Sequence, residues 1–248
     1  MPDLRTVALS DLHLGRKGSL IQRPEQLLPL MEGQERVLLL GDILDHWYLT
    51  QHQIEDLEGR MREICRRGGA RQVVWVRGNH DAATEEGEEY ALLHGVLYLH
   101  GHALYHKLKG NGSLAERIGD LNKRKFHKRI SSRLNKKHWS LVDAAYRRIP
   151  QALARPLLWH WGTRRKVRKL AGEAAEAGDE KVRAVVFGHS HCPGVNRAGD
   201  LLVFNLGGWM RNTRACGFLK RGSACRLVQI ANKHHEPRWG ETLHETQV

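Results

Sequence analysis

Aspartate, asparagine and histidine recur along this chain in five short clusters. They are Asp11-Leu12-His13, Gly41-Asp42 with Asp45 three residues on, Gly78-Asn79-His80-Asp81, His100-Gly101-His102 and Gly188-His189-Ser190-His191. Carboxylate, imidazole and amide groups without a paired thiolate suit manganese, iron or zinc held by oxygen and nitrogen, and suit a cysteine-rich structural zinc poorly. A side chain that bridges two cations should be a carboxylate, and Asp42 stands where a bridge is needed. On an extended segment Asp11 and His13 fall on one face, because side chains alternate; His189 and His191 repeat the spacing. Each cluster alone has a plainer explanation. Asp42 and Asp45 read equally well as caps of a following helix, Gly78 to Asp81 as a turn, and a single histidine as a hydrogen-bonded loop residue. Five such clusters in order are hard to assign to caps and turns alone.

The elements that must position them are legible as apolar runs, each followed by a cluster. Thr6-Val7-Ala8-Leu9 leads to Asp11, Val37-Leu38-Leu39-Leu40 to Asp42, and Val73-Val74-Trp75-Val76 to Asn79. Val96-Leu97-Tyr98-Leu99 leads to His100, Ala184-Val185-Val186-Phe187 to His189, and Leu201-Leu202-Val203-Phe204 to Asn205. Uninterrupted runs of this length predict interior parallel strands covered on both faces. Polar residues directly after them lie at strand ends, where open α/β sheets place ligand crevices. Helical spacing of Ile54, Leu57, Met61 and Ile64 predicts a helix over Gln53 to Arg67. Strand, cluster and helix in alternation predict an α/β fold.

At 248 residues, 41% of them hydrophobic, the chain is long enough for one large core, expected as a single domain over 1–248. Residues 107–177 break the rhythm. There Leu114, Ile118 and Leu121, then Phe126, Ile130 and Leu134, predict an inserted group of helices, punctuated by Pro150 and Pro156. Between Lys107 and Lys169, 19 lysines and arginines stand against 3 acids, within a formal net charge of +13. That excess reads either as a solvated helical face or as a surface for phosphates or anionic headgroups. The start has no basic stretch leading into an apolar one, and no run approaches the length of a spanning helix, so a cytoplasmic location is expected. Four scattered cysteines suggest reduced thiols. The polar tail from Lys233 to Val248 is expected to be disordered.

Taken together, the D-x-H, G-D-x-x-D, G-N-H-D, H-G-H and G-H-x-H segments resemble the calcineurin-like metallophosphoesterases. The match runs from Asp11 to His191 and is extended by Asn205-Leu206-Gly207-Gly208-Trp209. The resemblance implies a four-layer fold, a β-sandwich flanked by helices, with a dinuclear metal site at the strand ends. Carried over motif by motif, it implies Asp11, His13, Asp42 and His191 on one ion, and Asp42, Asn79, His100 and His189 on the other. His80 would face the phosphate and leaving group, oriented by Asp81 or Asp45. The implied cofactors are two divalent ions, manganese foremost, with iron or zinc as alternatives. Two such ions about 3.5–4 Å apart bind phosphate oxygens and acidify a water, whose hydroxide attacks phosphorus in line.

Within that superfamily, Gly41-Asp42-Ile43-Leu44-Asp45-His46-Trp47 resembles the G-D-x-x-D-x-W segment of the UDP-2,3-diacylglucosamine pyrophosphatases. The Asn205–Trp209 segment and the helical insertion are also in their style. This implies hydrolysis of the diphosphate of a nucleotide-activated glycolipid in the lipid A pathway. Residues 107–170 would then rest on an anionic surface at the inner face of the inner membrane. Three positions depart from the group: His80 where its best-defined branch has Arg, His102 where Asp is usual, and Gly208 where Asp is usual. The alternative is a soluble phosphodiesterase or nuclease, with the insertion gripping a nucleic-acid backbone and Trp139, Trp159 and Trp161 stacking on bases. A non-catalytic scaffold is the third reading, disfavoured because every implied ligand is present.

Overall fold

A computed structural model of the chain describes residues 4–81, 84, 87–131, 161–211, 213–233 and 236–248. Two mixed sheets pack face to face. In the first, Thr6–Leu9 (β1), Arg36–Leu40 (β2) and Gln72–Val76 (β3) run parallel. The second holds Ala91–Leu93 (β4), Val96–Tyr98 (β5), Ala184–Phe187 (β6), Gly194–Ala198 (β7) and Leu201–Asn205 (β8), in the order β4-β5-β6-β8-β7. The first is completed by Cys216–Arg221 (β9), Ala224–Lys233 (β10) and Glu236–Gln247 (β11), giving β11-β10-β9-β1-β2-β3.

Strand alternation distributes the apolar runs between layers. Ala8, Leu38, Leu40, Val74 and Val76 meet Val96, Tyr98, Ala184, Val186 and Phe204 between the sheets. Their neighbours Val7, Leu9, Val37, Leu39 and Trp75 point outward onto Leu28–Met31 (α1) and Gln51–Arg67 (α2). On the far side, Leu97, Val185, Phe187 and Val203 meet His102–Tyr105 (α3), Leu114–Ser131 (α4) and Trp161–Gly178 (α5). This is the expected four-layer α/β sandwich flanked by helices. All six uninterrupted runs are strands, because residues of both parities are buried.

α2 begins at Gln51, two residues before the start expected at Gln53. Thr50 caps it reciprocally with Gln53, its hydroxyl accepting from the Gln53 amide while the Gln53 side chain accepts from the Thr50 amide. α4 and α5, at the two ends of the basic stretch, bury Leu114, Ile118, Leu121, Val167, Leu170 and Ala174 on the second sheet. Leu134, Trp139, Pro150, Pro156 and Trp159 lie outside the described residues, as do the side chains of Phe126, Ile130 and Trp161.

The expectation of a disordered tail is overturned. β11 spans Glu236–Gln247 and pairs antiparallel with β10 from Lys233↔Glu236 to Ala224↔Gln247. Trp239 anchors it by packing on the outward core of the first sheet. Gly217 makes this fit possible: a Cβ there would stand 2.6 Å from the Trp239 ring. Average polarity of the tail concealed one large apolar side chain and a strand whose other face is solvated.

Candidate metal centre

The loops leaving β1 and β2 run side by side beyond the strand ends. Asp11 N donates to Gly41 O at 3.1 Å, His13 N to Asp42 O at 2.9 Å, and Asp45 N to Leu14 O at 2.9 Å. The side chains are not placed by pleat alternation, as the D-x-H spacing suggested. Asp11, His13, Asp42, His189 and His191 have φ of 55°, 50°, 52°, 62° and 54°. Among the described residues they are five of seven non-glycine positions with positive φ. Left-handed backbone is uncommon for such residues, though Asp and His tolerate it best, and it costs on the order of 1–3 kcal/mol each. Sharp turns at the strand ends, rather than an extended segment, aim both side chains of each pair at the same place.

That place is shared by residues far apart in sequence. Ligand atoms of Asp11, His13 and His191 lie within 4.8 Å of one another, as do those of Asp42, His100 and His189. His13 Nε2 is 3.3 Å from His191 Nε2, and His100 Nε2 is 3.2 Å from His189 Nδ1. Asp42 lies between the two groups, its Oδ2 at 3.4 Å from His100 Nε2 and 4.0 Å from His13 Nε2. The other ring nitrogen of His100 is 3.0 Å from the Leu40 carbonyl, so Nδ1 donates there and Nε2 faces the crevice. Asn79 Oδ1 is buried with no hydrogen-bond partner in the structure. Converging imidazole lone pairs, carboxylates and an orphaned amide oxygen are a donor set that fits divalent cations.

The backbone closes tightly around these groups. Asp11 Oδ2 accepts from the Ser10 hydroxyl at 2.6 Å and from His189 N at 2.8 Å, tying the first loop to the last. Asp42 Oδ1 accepts from His80 N at 2.8 Å. Gly78 packs against Asp42 so closely that a Cβ would collide with its carboxylate and amide nitrogen. Of the two residues expected to orient His80, Asp45 touches it, with Oδ1 3.0 Å from Nδ1. Asp81 turns elsewhere: its carboxylate accepts from the backbone N–H groups of Gly78 (2.7 Å), Ile43 (2.8 Å) and Asp42 (3.1 Å), bracing the two loops.

Burial opposes every charge here, and neighbours outweigh it at some groups and not at others. Burial would raise Asp42, but His100 and His80 hold it well below the usual carboxylate range. Asp11 is lowered because His191 and His100 outweigh its burial, and Asp45 because His80 and His13 do. Against its own burial, His100 is lifted by Asp42 to about 10, and Asp45 and Asp42 raise His13. Burial pushes His80 down to about 4 despite Asp45 and Asp42, and burial with the charge of His100 holds His189 well below its usual range. Burial and the charge of Asp42 raise Asp81 to about 6. A cation must displace the proton that Asp42 holds on His100, so metal uptake here is competitive with protons.

Other residues fall into place around the centre. His102 is buried beside His100, ring centroids 5.4 Å apart, outside every group of candidate ligands. Arg77 is tied to Glu89 at 3.0 Å and to the Thr84 carbonyl at 2.7 Å, a structural brace. Cys192 joins none of these groups. Gly208 accounts for one departure noted above: a Cβ there would lie 2.8 Å from the His191 ring, so an Asp would displace that imidazole. Spacing alone did not single out Asn205, whose amide donates to Ser190 Oγ at 2.6 Å and steadies the His189–His191 turn. Its position after an apolar run was the available signal.

His46, adjacent to Asp45, is a buried imidazole that desolvation pushes down to about 4, Asp45 and Asp42 only partly offsetting it. Its folded pKa lies below the unfolded value, so its contribution is present above about pH 6.5 and lost as pH falls toward 4. That contribution is roughly 3 kcal/mol. His46→Gln is therefore expected to flatten the loss of melting temperature of the chelated protein between pH 7 and 4.5. Identical slopes for both proteins would refute it.

Two opposed sheets carry a carboxylate- and imidazole-lined crevice at their strand ends, a donor set suited to divalent metal. The family model for the calcineurin-like phosphoesterases matches residues 4–193, and the chain belongs to that family. The fold and donor set are those of a metal-dependent phosphoesterase. Among solved structures, vacuolar protein sorting 29 from Cryptosporidium parvum is 14% identical, covers 99% of this chain and 100% of its own, and superposes with a TM-score of 0.50. A dimetal phosphatase from Danio rerio is 12% identical over 92% of this chain and 96% of its own, TM-score 0.49. Yfce, a phosphoesterase from E. coli, is 15% identical over 98% of each chain, TM-score 0.47. At 14% identity the likeness to vacuolar protein sorting 29 is one of fold. No curated protein sequence matches the chain.

Proposed function

We propose that the protein hydrolyses the diphosphate of a nucleotide-activated glycolipid, UDP-2,3-diacylglucosamine, using manganese. The observation that carries the lipid reading is the place of Trp47. Its ring lies 3.5 Å, centroid to centroid, from that of His80, so the G-D-x-x-D-x-W signature bears directly on the group assigned to the phosphate. Asp11, His13, His191 and Asp42 would hold one ion, and Asp42, Asn79, His100 and His189 the other. Bound there, divalent ions supply Lewis-acid charge and a water acidified to near-neutral pKa. Asp45 holds Nδ1 of His80, leaving Nε2 for the substrate side, 3.8 Å from Asp42 Oδ2. Burial keeps this imidazole neutral at pH 7. It takes up a proton as the anionic substrate arrives and donates it to the departing oxygen.

His80→Gln is expected to lower kcat by about 10²–10⁴-fold with KM little changed, the usual worth of a general acid; unchanged kcat would remove His80 from the mechanism. The basic residues of 107–170 are proposed to rest on an anionic leaflet. Among the described residues no helix is long and apolar enough to cross a membrane. The substrate is tested by comparing UDP-2,3-diacylglucosamine with bis-p-nitrophenyl phosphate in the presence of manganese. Release of UMP supports the lipid reading. Cleavage of the generic diester alone keeps the chemistry and overturns the lipid, leaving nucleotides or nucleic acid as substrates.

A further inference from the structure

Asp45 is fully buried and three groups converge on it. Its Oδ1 is 3.0 Å from His80 Nδ1, and its Oδ2 is 3.6 Å from His13 Nδ1 and 3.7 Å from Arg16 Nη1. Both imidazoles meet it with the nitrogen turned away from the crevice, so one carboxylate sets the ring orientation of a candidate metal ligand and of the candidate proton donor together. A histidine must be neutral to ligate a metal. Two neutral imidazoles give Asp45 close polar contacts but no countercharge, and an isolated carboxylate in such a place is costly. Arg16 supplies the permanent charge. Its side chain is only 10% exposed, and its place is fixed by the chain itself. Arg16 N donates to the His13 carbonyl at 3.1 Å. Gly15, at φ 87°, turns the loop where any Cβ would collide with Leu49.

We infer that Arg16 is a positioning residue, acting through Asp45 to hold His13 and His80 in their working orientations. The inference rests on the phosphoesterase reading only in its catalytic limb, since the metal limb can be read without turnover. The experiment is a double-mutant cycle of Arg16→Gln and Asp45→Asn. Manganese affinity is measured by chelator competition, and kcat and KM on bis-p-nitrophenyl phosphate, with Arg16→Lys as the conservative variant. Arg16→Gln is expected to lose about 10–100-fold in metal affinity or in kcat, as removal of an outer partner of a ligand typically does. KM should stay within about twofold, and Arg16→Lys should recover most of the loss. In the Asp45→Asn background the same change should add less than about twofold, because the two act as one unit. Additive losses would overturn the inference, as would wild-type behaviour of Arg16→Gln. A rise in KM alone would also overturn it, placing Arg16 on the substrate. If the wild-type protein turns over no phosphoester, the functional reading fails, and the metal-affinity cycle still decides the role of Arg16.

Discussion

Asp42→Ala is expected to abolish phosphoester hydrolysis and to strip the protein of bound metal. Asp42 is the carboxylate proposed to be shared by the two ions, lying between the candidate ligand groups at 3.4 Å from His100 and 4.0 Å from His13. Two cations held close together repel each other, and the shared negative charge is what offsets that repulsion. Charge stabilisation by bound metal is worth several kcal/mol at the transition state, and each 1.36 kcal/mol is tenfold in rate. A loss of at least about 10³-fold in kcat/KM is expected. The alanine variant also leaves His80 N without its acceptor and removes the charge facing His100. Asp42→Asn separates these effects, since its amide oxygen still accepts from His80 N while the charge is gone. It should be as inactive as the alanine variant and closer to wild type in chelated melting temperature. Metal content by mass spectrometry and kcat/KM on bis-p-nitrophenyl phosphate check both statements. Residual activity above about one per cent in Asp42→Asn would remove Asp42 from its bridging place.

Metal binding is expected to raise the melting temperature by roughly 10 °C. Asp11, Asp42, Asp45 and Asp81 are buried within one cluster of histidines. The charge of Asp42 works against both Asp11 and Asp81. A ligand that binds only the folded state at about 1,000 times its dissociation constant adds about 4 kcal/mol. For a chain of this size each kcal/mol moves the midpoint by about 2–4 °C. The sign with pH follows from the cited shifts. His100 lies near 10 because of Asp42, so its proton must leave for the ion to bind, and metal stabilisation grows as pH rises from 6 to 8. Scanning calorimetry with manganese against chelator at pH 6, 7 and 8 measures it. A shift independent of pH would mean that the ion binds away from His100.

The calcineurin-like family match covers all five clusters, and those clusters were readable because their chemistry is local. Asp11 and His13, or His189 and His191, are two residues apart, each pair following a run buried on both faces. The strands that escaped notice are of a different kind. β4 and β7 are the edges of the second sheet, and β9, β10 and β11 form one side of the first. β4, β7 and β11 keep solvated residues among their buried ones, and nothing in a short polar stretch reveals the neighbour it will pair with. β11 is the clearest instance, since its order depends on Trp239 meeting a glycine in β9.

The sequence by itself determined which side chains gather: the residue types, their spacing and the strands they follow are written in runs of four to six residues. Only the tertiary structure decided how they meet. Asp11 and His191 stand 3.2 Å apart at Oδ1 and Nε2 because β1 and β6 lie in opposed sheets whose ends coincide. The left-handed turns at Asp11, His13, Asp42, His189 and His191 were equally hidden, since backbone strain is sustained by the packing around it and not by the local residue type. The division of labour between Asp45 on His80 and Asp81 on backbone amides was decided the same way. Both follow a strand by a few residues, and only the meeting of the two loops gives one of them an imidazole and the other three N–H donors.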